Sequence, residues 1–575
     1  MECKRLKIFS LLLLLILKSV ATNAQTSPPD LYPQGYFRNP LKIPISLAGN
    51  FGELRPNHFH MGLDIRTTNR VNLPVYAAAE GMISQVKVEP GGFGQAIYIT
   101  HPNGYTTVYG HLNAFFPALA AWVKQQQYRL QSWKLTLVVP PGKFPVKKGD
   151  FIALSGNTGG SQAPHLHFEI RRTKDDVNLN PLLFGFDIPD HTAPELLKLA
   201  VYDLSKSIYE QKPFLFPVKK TEGNRQLSVG SISVPFAKAG FAISTFDTQS
   251  GSSNRNGIYE ATLFDNEHAV IAFRMNEVSY GNTRNINAHI DYKTRYSGGP
   301  YLQQLFLLPG NPSGIYHPVR GMGSITLTDG TTHQVRIEVK DAFGNSSVLS
   351  VLIKFNVIPL SSGQAFPGKM FYPGMVDGYE SANCSFYLGE KSLYDSVHIP
   401  LSQKPGTLPG GLSPQFSIGY VYLPLADNML VQIKSDKKLT SPPFNPIVMV
   451  RTAGAKKEVQ PVVWKNGWAS AAFNEFGSFQ LVTDHSPPQI RFAGYRENMS
   501  LRKAKKIVIL VKDNLDAVRN FRAELDGNWL CFANDKGKAF VYTFDAHCAR
   551  GKHILKIHAE DVAGNPADAT FSFVR

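Results

Sequence analysis

The stretch His165-Leu166-His167-Phe168-Glu169-Ile170 puts two imidazoles and a carboxylate at alternate positions. Apolar Leu166, Phe168 and Ile170 fall between them, the period of a strand with one buried face. Alternate strand residues share a face, so His165 and His167 point the same way and can share a metal. His60-Met61-Gly62-Leu63-Asp64-Ile65 repeats the form: His60, Gly62 and Asp64 face one way, Met61, Leu63 and Ile65 the other. Gly62 leaves space between the two polar side chains. In Thr107-Val108-Tyr109-Gly110-His111-Leu112, the same alternation puts Thr107, Tyr109 and His111 on one face.

A β framework must position these groups. Val75-Tyr76-Ala77-Ala78, Gly81–Val86, Ala96–Thr100 and Tyr105–Tyr109 read as successive strands, with Gly91–Gly94 and Pro102-Asn103-Gly104 as turns. One segment breaks the rhythm. Leu119, Trp122, Val123, Gln126 and Leu130 fall at helical spacing after a potential N-cap at Asn113. The helix is expected to pack on the sheet. It leaves directly from the His111 strand, which also places it to wall one side of a cleft. Phe151–Leu154 resumes the sheet, and the Ser155–Gly160 loop delivers the chain to His165.

Together these motifs closely resemble the lysostaphin-type (LytM-like) zinc metalloendopeptidases of bacterial cell walls. The family pattern is H-x(3)-D, a Y-x-H-L strand and H-x-H; here it reads His60 and Asp64, Tyr109-Gly110-His111-Leu112, and His165-Leu166-His167. Ser155-Gly156-Asn157-Thr158-Gly159 and Pro164 extend the likeness, which covers roughly residues 35–188. It implies one zinc ion held by His60, Asp64 and His167, with His111 and His165 as the non-ligand catalytic pair. Two imidazoles and a carboxylate suit zinc and leave a position for water, which the metal makes acidic enough to attack at neutral pH. No H-E-x-x-H helix offers a glutamate base, so the histidine pair inherits proton transfer. Sequence does not say which of the two is the base. His58 shares a strand face with His60 if that strand starts early; it reads as a neighbour of the site, not a ligand. Arg55 and Asn57 are placed by resemblance alone to position substrate or order the loop.

A chain of 575 residues, 43% hydrophobic and 11% aromatic, implies several globular domains. Lys4, Arg5 and Lys7, the apolar run from Phe9 to Ile16 and small residues up to Ala24 make residues 1–24 a signal peptide. That run is too short to span a bilayer comfortably, and no other stretch is a candidate, so no membrane span is expected after cleavage. The formal charge is +16; losing Lys4, Arg5, Lys7 and Lys18 against Glu2 leaves about +13. Such a balance serves solubility and general adhesion to anions, or attraction to an acidic envelope polymer or membrane surface. No nucleic-acid motif is present, and nucleic acid is not expected as a partner. Cys384, Cys531 and Cys548 make no disulfide scaffold, and their sequence leaves open whether Cys531 and Cys548 pair.

An internal repeat follows. Asp190-His191-Thr192-Ala193-Pro194 is echoed by Asp484-His485-Ser486-Pro487-Pro488, and Asp341-Ala342-Phe343-Gly344-Asn345 by Asp561-Val562-Ala563-Gly564-Asn565. The alternating strands around them suggest two immunoglobulin-like β-sandwiches, the first enlarged by roughly 70 residues. Asp341 and Asp561 read as turn residues bonding their own backbone, although either could also take calcium. Pro359–Gly363 reads as a linker.

The expected fold is therefore mostly β: an antiparallel-sheet peptidase domain with one helical insertion, followed by several β-sandwiches. The expected divisions are a zinc peptidase domain at 25–188, an immunoglobulin-like domain with an insertion at 189–357, a β-rich domain at 358–483 and an immunoglobulin-like sandwich at 484–575. The implied function is exported, zinc-dependent hydrolysis of peptidoglycan cross-links, in the periplasm or elsewhere in the envelope. Two other readings compete: a catalytically inactive wall-binding scaffold that activates another hydrolase, and a glycan-binding adhesin. All five site residues lie between 60 and 167, so the first domain is expected to cut cross-links without the rest. The bond cut and the oligomeric state are not legible.

Overall fold

The computed structural model describes residues 32–575, except 221–224, 313, 357–364, 440–445, 516–517 and 538. The expected signal peptide and the Pro359–Gly363 linker lie outside the described residues. The chain is mostly β, as its alternating apolar pattern predicts.

The site-bearing sheet runs in the order Leu47–Gly49, Leu63–Arg66, His165–Arg172, Tyr105–Gly110, Gln95–Thr100, Gly81–Val88, Leu135–Val138. Its neighbours pair antiparallel. One face is apolar. Leu63, Ile65, Ile97, Ile99, Leu166, Phe168 and Ile170 pack there with Val75 and Ile152 of a three-stranded sheet. The other face carries the histidines.

The helical insertion is an α-helix over Pro117–Leu130. Its N-cap is Phe116, not Asn113, and Pro117 opens the first turn, where a missing N–H costs nothing. Ala114–Phe115 forms a short strand that intervenes. Leu119 and Val123 pack into the sheet's core. The outer face docks on the last domain: the Tyr128 ring stacks on His547 at 3.7 Å, and Lys124 Nζ lies 3.2 Å from Asp545. The helix therefore braces the terminal domain and does not line the histidine cleft.

Past residue 190, a first two-layered β unit surrounds Leu199, Val201, Phe241, Ile243, Ile337, Val339 and Leu349. It is fused to the peptidase domain in two ways. Phe51, Phe59 and Met61 belong to its core, not to that of the first sheet. Its strand Glu277–Val278 pairs with Val177–Leu179 and so extends the peptidase sheet. A middle unit stacks two five-stranded sheets, and the terminal unit packs Gln489–Phe492, Lys506–Lys512 and Phe540–Thr543 over a five-stranded sheet. Cys384, Cys531 and Cys548 are buried free thiols.

Candidate metal centre

His167 sits directly across from Asp64 on one side and Gly110 on the other. Partners facing each other in an antiparallel pair share a face, so the register alone brings the H-x-H strand to the aspartate. His60 arrives differently. Residues four apart on a straight strand are separated by about 13 Å, too far to share an ion. The chain is not a strand over His60–Gly62; it bends there, and regular pairing begins only at Leu63. Gly62 permits the bend. A Cβ at this position would collide with the Phe168 carbonyl oxygen and lie 2.8 Å from Glu169 Cγ.

The bend closes a tight triangle. His60 Nε2 lies 3.0 Å from Asp64 Oδ1 and 3.1 Å from His167 Nδ1, and His167 Nδ1 lies 2.9 Å from Asp64 Oδ1. All three side chains are buried. The proton on each ring's other nitrogen is already placed. His60 Nδ1 donates to the Asn50 carbonyl at 2.7 Å, and His167 Nε2 donates to Glu169 Oε1 at 2.9 Å. His60 Nε2 and His167 Nδ1 are therefore the nitrogens turned to the aspartate oxygen, and without a proton between them the three atoms make a donor set that attracts a cation. Burial, against the pull of Asp64, lowers His60 to about 4. Burial also opposes charge on His167, but hydrogen bonds to Asp64 and Glu169 raise it to about 9. A metal entering here displaces that proton.

The surrounding shell is built as carefully as the triangle. Arg55 donates to Asp64 Oδ2 at 2.6 Å, so Oδ1 is the oxygen turned to the trio. Glu169 is fully buried, yet the Arg171 guanidinium and the His167 and Tyr280 hydrogen bonds overcome that burial and lower it to about 2. Tyr280, from the second unit, donates to Glu169 Oε1 at 2.6 Å. His58 is exposed, its Nδ1 2.9 Å from the Pro56 carbonyl, and stands outside the triangle.

His111 reaches the site against the strand pattern. Tyr109 does not share its face: the Tyr109 ring is buried against Phe168 and its hydroxyl accepts from the Ala78 amide. The strand ends at Gly110, and His111 adopts φ 58°, a left-handed conformation that turns its ring back towards the other histidines. Such a conformation costs on the order of 1–3 kcal/mol in a non-glycine residue and persists only where its surroundings hold it. Here they do. His111 N donates to the Phe93 carbonyl at 2.9 Å, and Nδ1 donates to the Thr158 carbonyl at 2.8 Å. Its ring centroid is 4.7 Å from His165 and 5.8 Å from His167. Burial and the neighbouring imidazoles lower His111 to about 3. His165 Nδ1 faces the Ala163 carbonyl at 2.8 Å, and its Nε2 lies 3.2 Å from Asp64 Oδ1 without making a hydrogen bond. Both rings thus commit Nδ1 to a backbone carbonyl and leave Nε2 beside the triangle.

All five expected residues line one cleft of about 770 Å³, together with Phe93, Ser161 and Tyr280. Residues beyond the first domain also reach the site. Tyr280 comes from the second unit, and the last unit grips the loop before His165. Lys536 Nζ donates to the carbonyls of Asn157, Gly159 and Ser161 at 2.7, 2.9 and 2.7 Å, and Asp535 Oδ1 accepts from Gly159 N at 2.7 Å. Glu169 was visible as the polar residue after His167 on the same face. Tyr280 and Lys536, far along the chain, left no local signal.

The sequence description of peptidase family M23 matches residues 58–128 and 134–181, the segment that carries all five residues. The chain carries an M23 peptidase domain. A Zu5-like domain matches residues 369–484, the middle β unit. An uncharacterized metalloprotease of Haemophilus influenzae is 30% identical over 33% of this chain and 33% of its own length. The DD-carboxypeptidase/endopeptidase Mpg of Neisseria meningitidis is 32% identical over 23% of this chain and 24% of its own. The peptidoglycan DD-endopeptidase ShyB of Vibrio cholerae is 32% identical over 19% of this chain and 20% of its own. The chain thus spans a third or less of each relative, and the likeness to Mpg and ShyB is of the size of the M23 domain alone. Among the described residues no helix is long and apolar enough to cross a membrane.

Proposed function

We propose that this protein is an exported, zinc-dependent endopeptidase that hydrolyses peptide cross-links of peptidoglycan. The observation that carries the reading is the convergence of His60 Nε2, Asp64 Oδ1 and His167 Nδ1 within 3.1 Å of one another, with two more imidazoles beside them. The three donors fit a zinc ion in number and type. His60, Asp64 and His167 would hold it, and when bound it supplies a Lewis acid and an acidified water.

The chain's own residues do the rest. Glu169 and the Asn50 carbonyl fix the two ligand rings, and Arg55 holds Asp64 so that one oxygen serves the site. His111 is neutral at physiological pH, with a free Nε2 able to accept the proton of the attacking water. His165 presents a second Nε2, which in the protonated ring would stabilise the tetrahedral centre or give a proton to the leaving amine. The naming of Mpg and ShyB as endopeptidases, the second of peptidoglycan, supports the substrate. The basic balance of the chain favours the anionic wall, and the apolar N-terminal run supports export.

The test is incubation of zinc-loaded full-length protein with defined cross-linked muropeptides, followed by mass spectrometry. Cross-linked species should be converted to monomers. If every cross-linked substrate stays intact with zinc bound, the endopeptidase reading fails.

A further inference from the structure

The repeat openings and the D-x-x-G-N turns come together in space. Asp190, Asp247 and Asp341 place one carboxylate oxygen each within 4.8 Å of the others, and are 7%, 5% and 3% exposed. Two of them have local work. Asp190 Oδ1 accepts from Thr192 N and from Ser250 N and Oγ. Asp341 Oδ1 accepts from Phe343 N and Asn345 N, and Oδ2 from Asn345 Nδ2. Asn345 Nδ2 also reaches the Asp190 carbonyl, tying the turn to the opening. Turn chemistry explains both residues.

It does not explain Asp247. This residue directly follows the strand Lys238–Phe246 and is buried in the group, and its Oδ1 has no hydrogen-bond partner. Burial and the Asp341 and Asp190 carboxylates push it up to about 7. A buried carboxylate oxygen without a partner, in a side chain set against two other carboxylates, costs free energy, and the backbone hydrogen bond from Thr248 leaves that oxygen unsatisfied. The arrangement is also built twice. Asp484, Asp513 and Asp561 occupy the same three places in the terminal unit, again within 4.8 Å, and Asn565 repeats each bond that Asn345 makes.

We propose that Asp190, Asp247 and Asp341 form a calcium site distinct from the zinc triangle. The donors are all oxygen, with no imidazole or thiolate among them, which selects a hard cation. Three carboxylates at one buried point suit calcium, which takes 6–8 oxygen ligands in flexible geometry, better than magnesium, which keeps its water shell. The ion has a structural role to play. Asp247 pairs with Asn256 to close the loop between them. From this loop Gln249 binds Leu47 N and the Ile45 carbonyl, and Asn254 binds the Ala48 carbonyl. Leu47–Gly49 is the strand paired with the Asp64 strand. Calcium would thus brace the loop through which the second unit holds the edge of the peptidase sheet.

The test uses zinc-loaded full-length protein in calcium-free buffer, titrated with calcium by equilibrium dialysis. Modules of this kind bind with dissociation constants of about 10⁻⁴–10⁻³ M. Asp247→Asn removes charge from an oxygen that has no partner, and Asp190→Asn keeps an acceptor for Thr192 and Ser250. Each variant should bind one calcium fewer per chain than the wild type, with zinc content unchanged. Calcium, but not magnesium at the same concentration, should slow hydrogen exchange across residues 247–257 in the wild type only. Equal calcium stoichiometry in the wild type and both variants would overturn the site. So would a wild type that binds no calcium up to about 10 mM, well above the expected range. Equal protection by magnesium would overturn the assignment to calcium.

Discussion

The Tyr280 hydroxyl donates to Glu169 Oε1 at 2.6 Å, on the same oxygen that receives the His167 Nε2 proton at 2.9 Å. A residue of the second β unit therefore helps to hold the carboxylate that orients His167, alongside the Arg171 guanidinium. Partners of this kind are typically worth about 10–100-fold in metal affinity or activity. Tyr280→Phe should lower zinc affinity or turnover by about 10-fold, and Glu169→Gln by more, within that range. Competition with a zinc chelator, alongside cross-link cleavage, measures both. If neither variant differs from wild type in either assay, the Tyr280–Glu169 pair is only packing.

Lys536 makes an analogous link from the far end of the chain. It holds three carbonyls of the loop that carries Thr158, the acceptor for His111, and leads to Ala163, the acceptor for His165. Misplacing catalytic groups by about 1 Å can cost 10²-fold. Lys536→Ala should therefore reduce turnover about 10- to 100-fold while zinc content stays at one per chain. Unchanged turnover would mean that the terminal unit rests on the loop without aligning it.

Removal of residues 190–575 follows from the same contacts. The fragment would expose Phe51, Phe59 and Met61, which pack in the second unit's core, and would leave Glu169 without Tyr280. It should be poorly soluble, or fold with weakened zinc binding and slower hydrolysis of a soluble cross-link peptide. A soluble fragment as active as the full chain would show that the domains after 190 do not complete the site.

Much of this was legible from spacing. The H-x-H strand, its apolar face and the Tyr105–Gly110 hairpin strand follow from period-two alternation, because a half-buried strand allows little else. The same rule misplaced His111. Alternation put it with Tyr109, but the strand ends at Gly110 and a left-handed residue reverses the ring. Alternation also drew His60 into a strand, where geometry requires a bend before Asp64. Both departures occur at site residues, where local preference yields to function. The helix over Pro117–Leu130 was found by its periodicity, yet its docking on Asp545 and His547 was not, since nothing local encodes a contact more than 400 residues away.

Loss of the metal should follow loss of a donor. Asp64→Ala removes the oxygen common to the triangle, and His167→Ala removes the nitrogen 2.9 Å from it. Both variants should purify with little zinc and no measurable hydrolysis, as metal analysis of each will establish. Full occupancy in either would mean that the ion is held elsewhere.

The most direct measurement is zinc content and cross-link hydrolysis, side by side, in His111→Ala and His165→Ala. Neither ring belongs to the triangle, and each keeps Nδ1 on a backbone carbonyl with Nε2 free beside the triangle. Each variant should retain one zinc and lose about 10²–10⁴ in rate, the usual worth of a positioned proton-transfer group. Loss of zinc from either variant, or cleavage at the wild-type rate with zinc retained, would contradict the account.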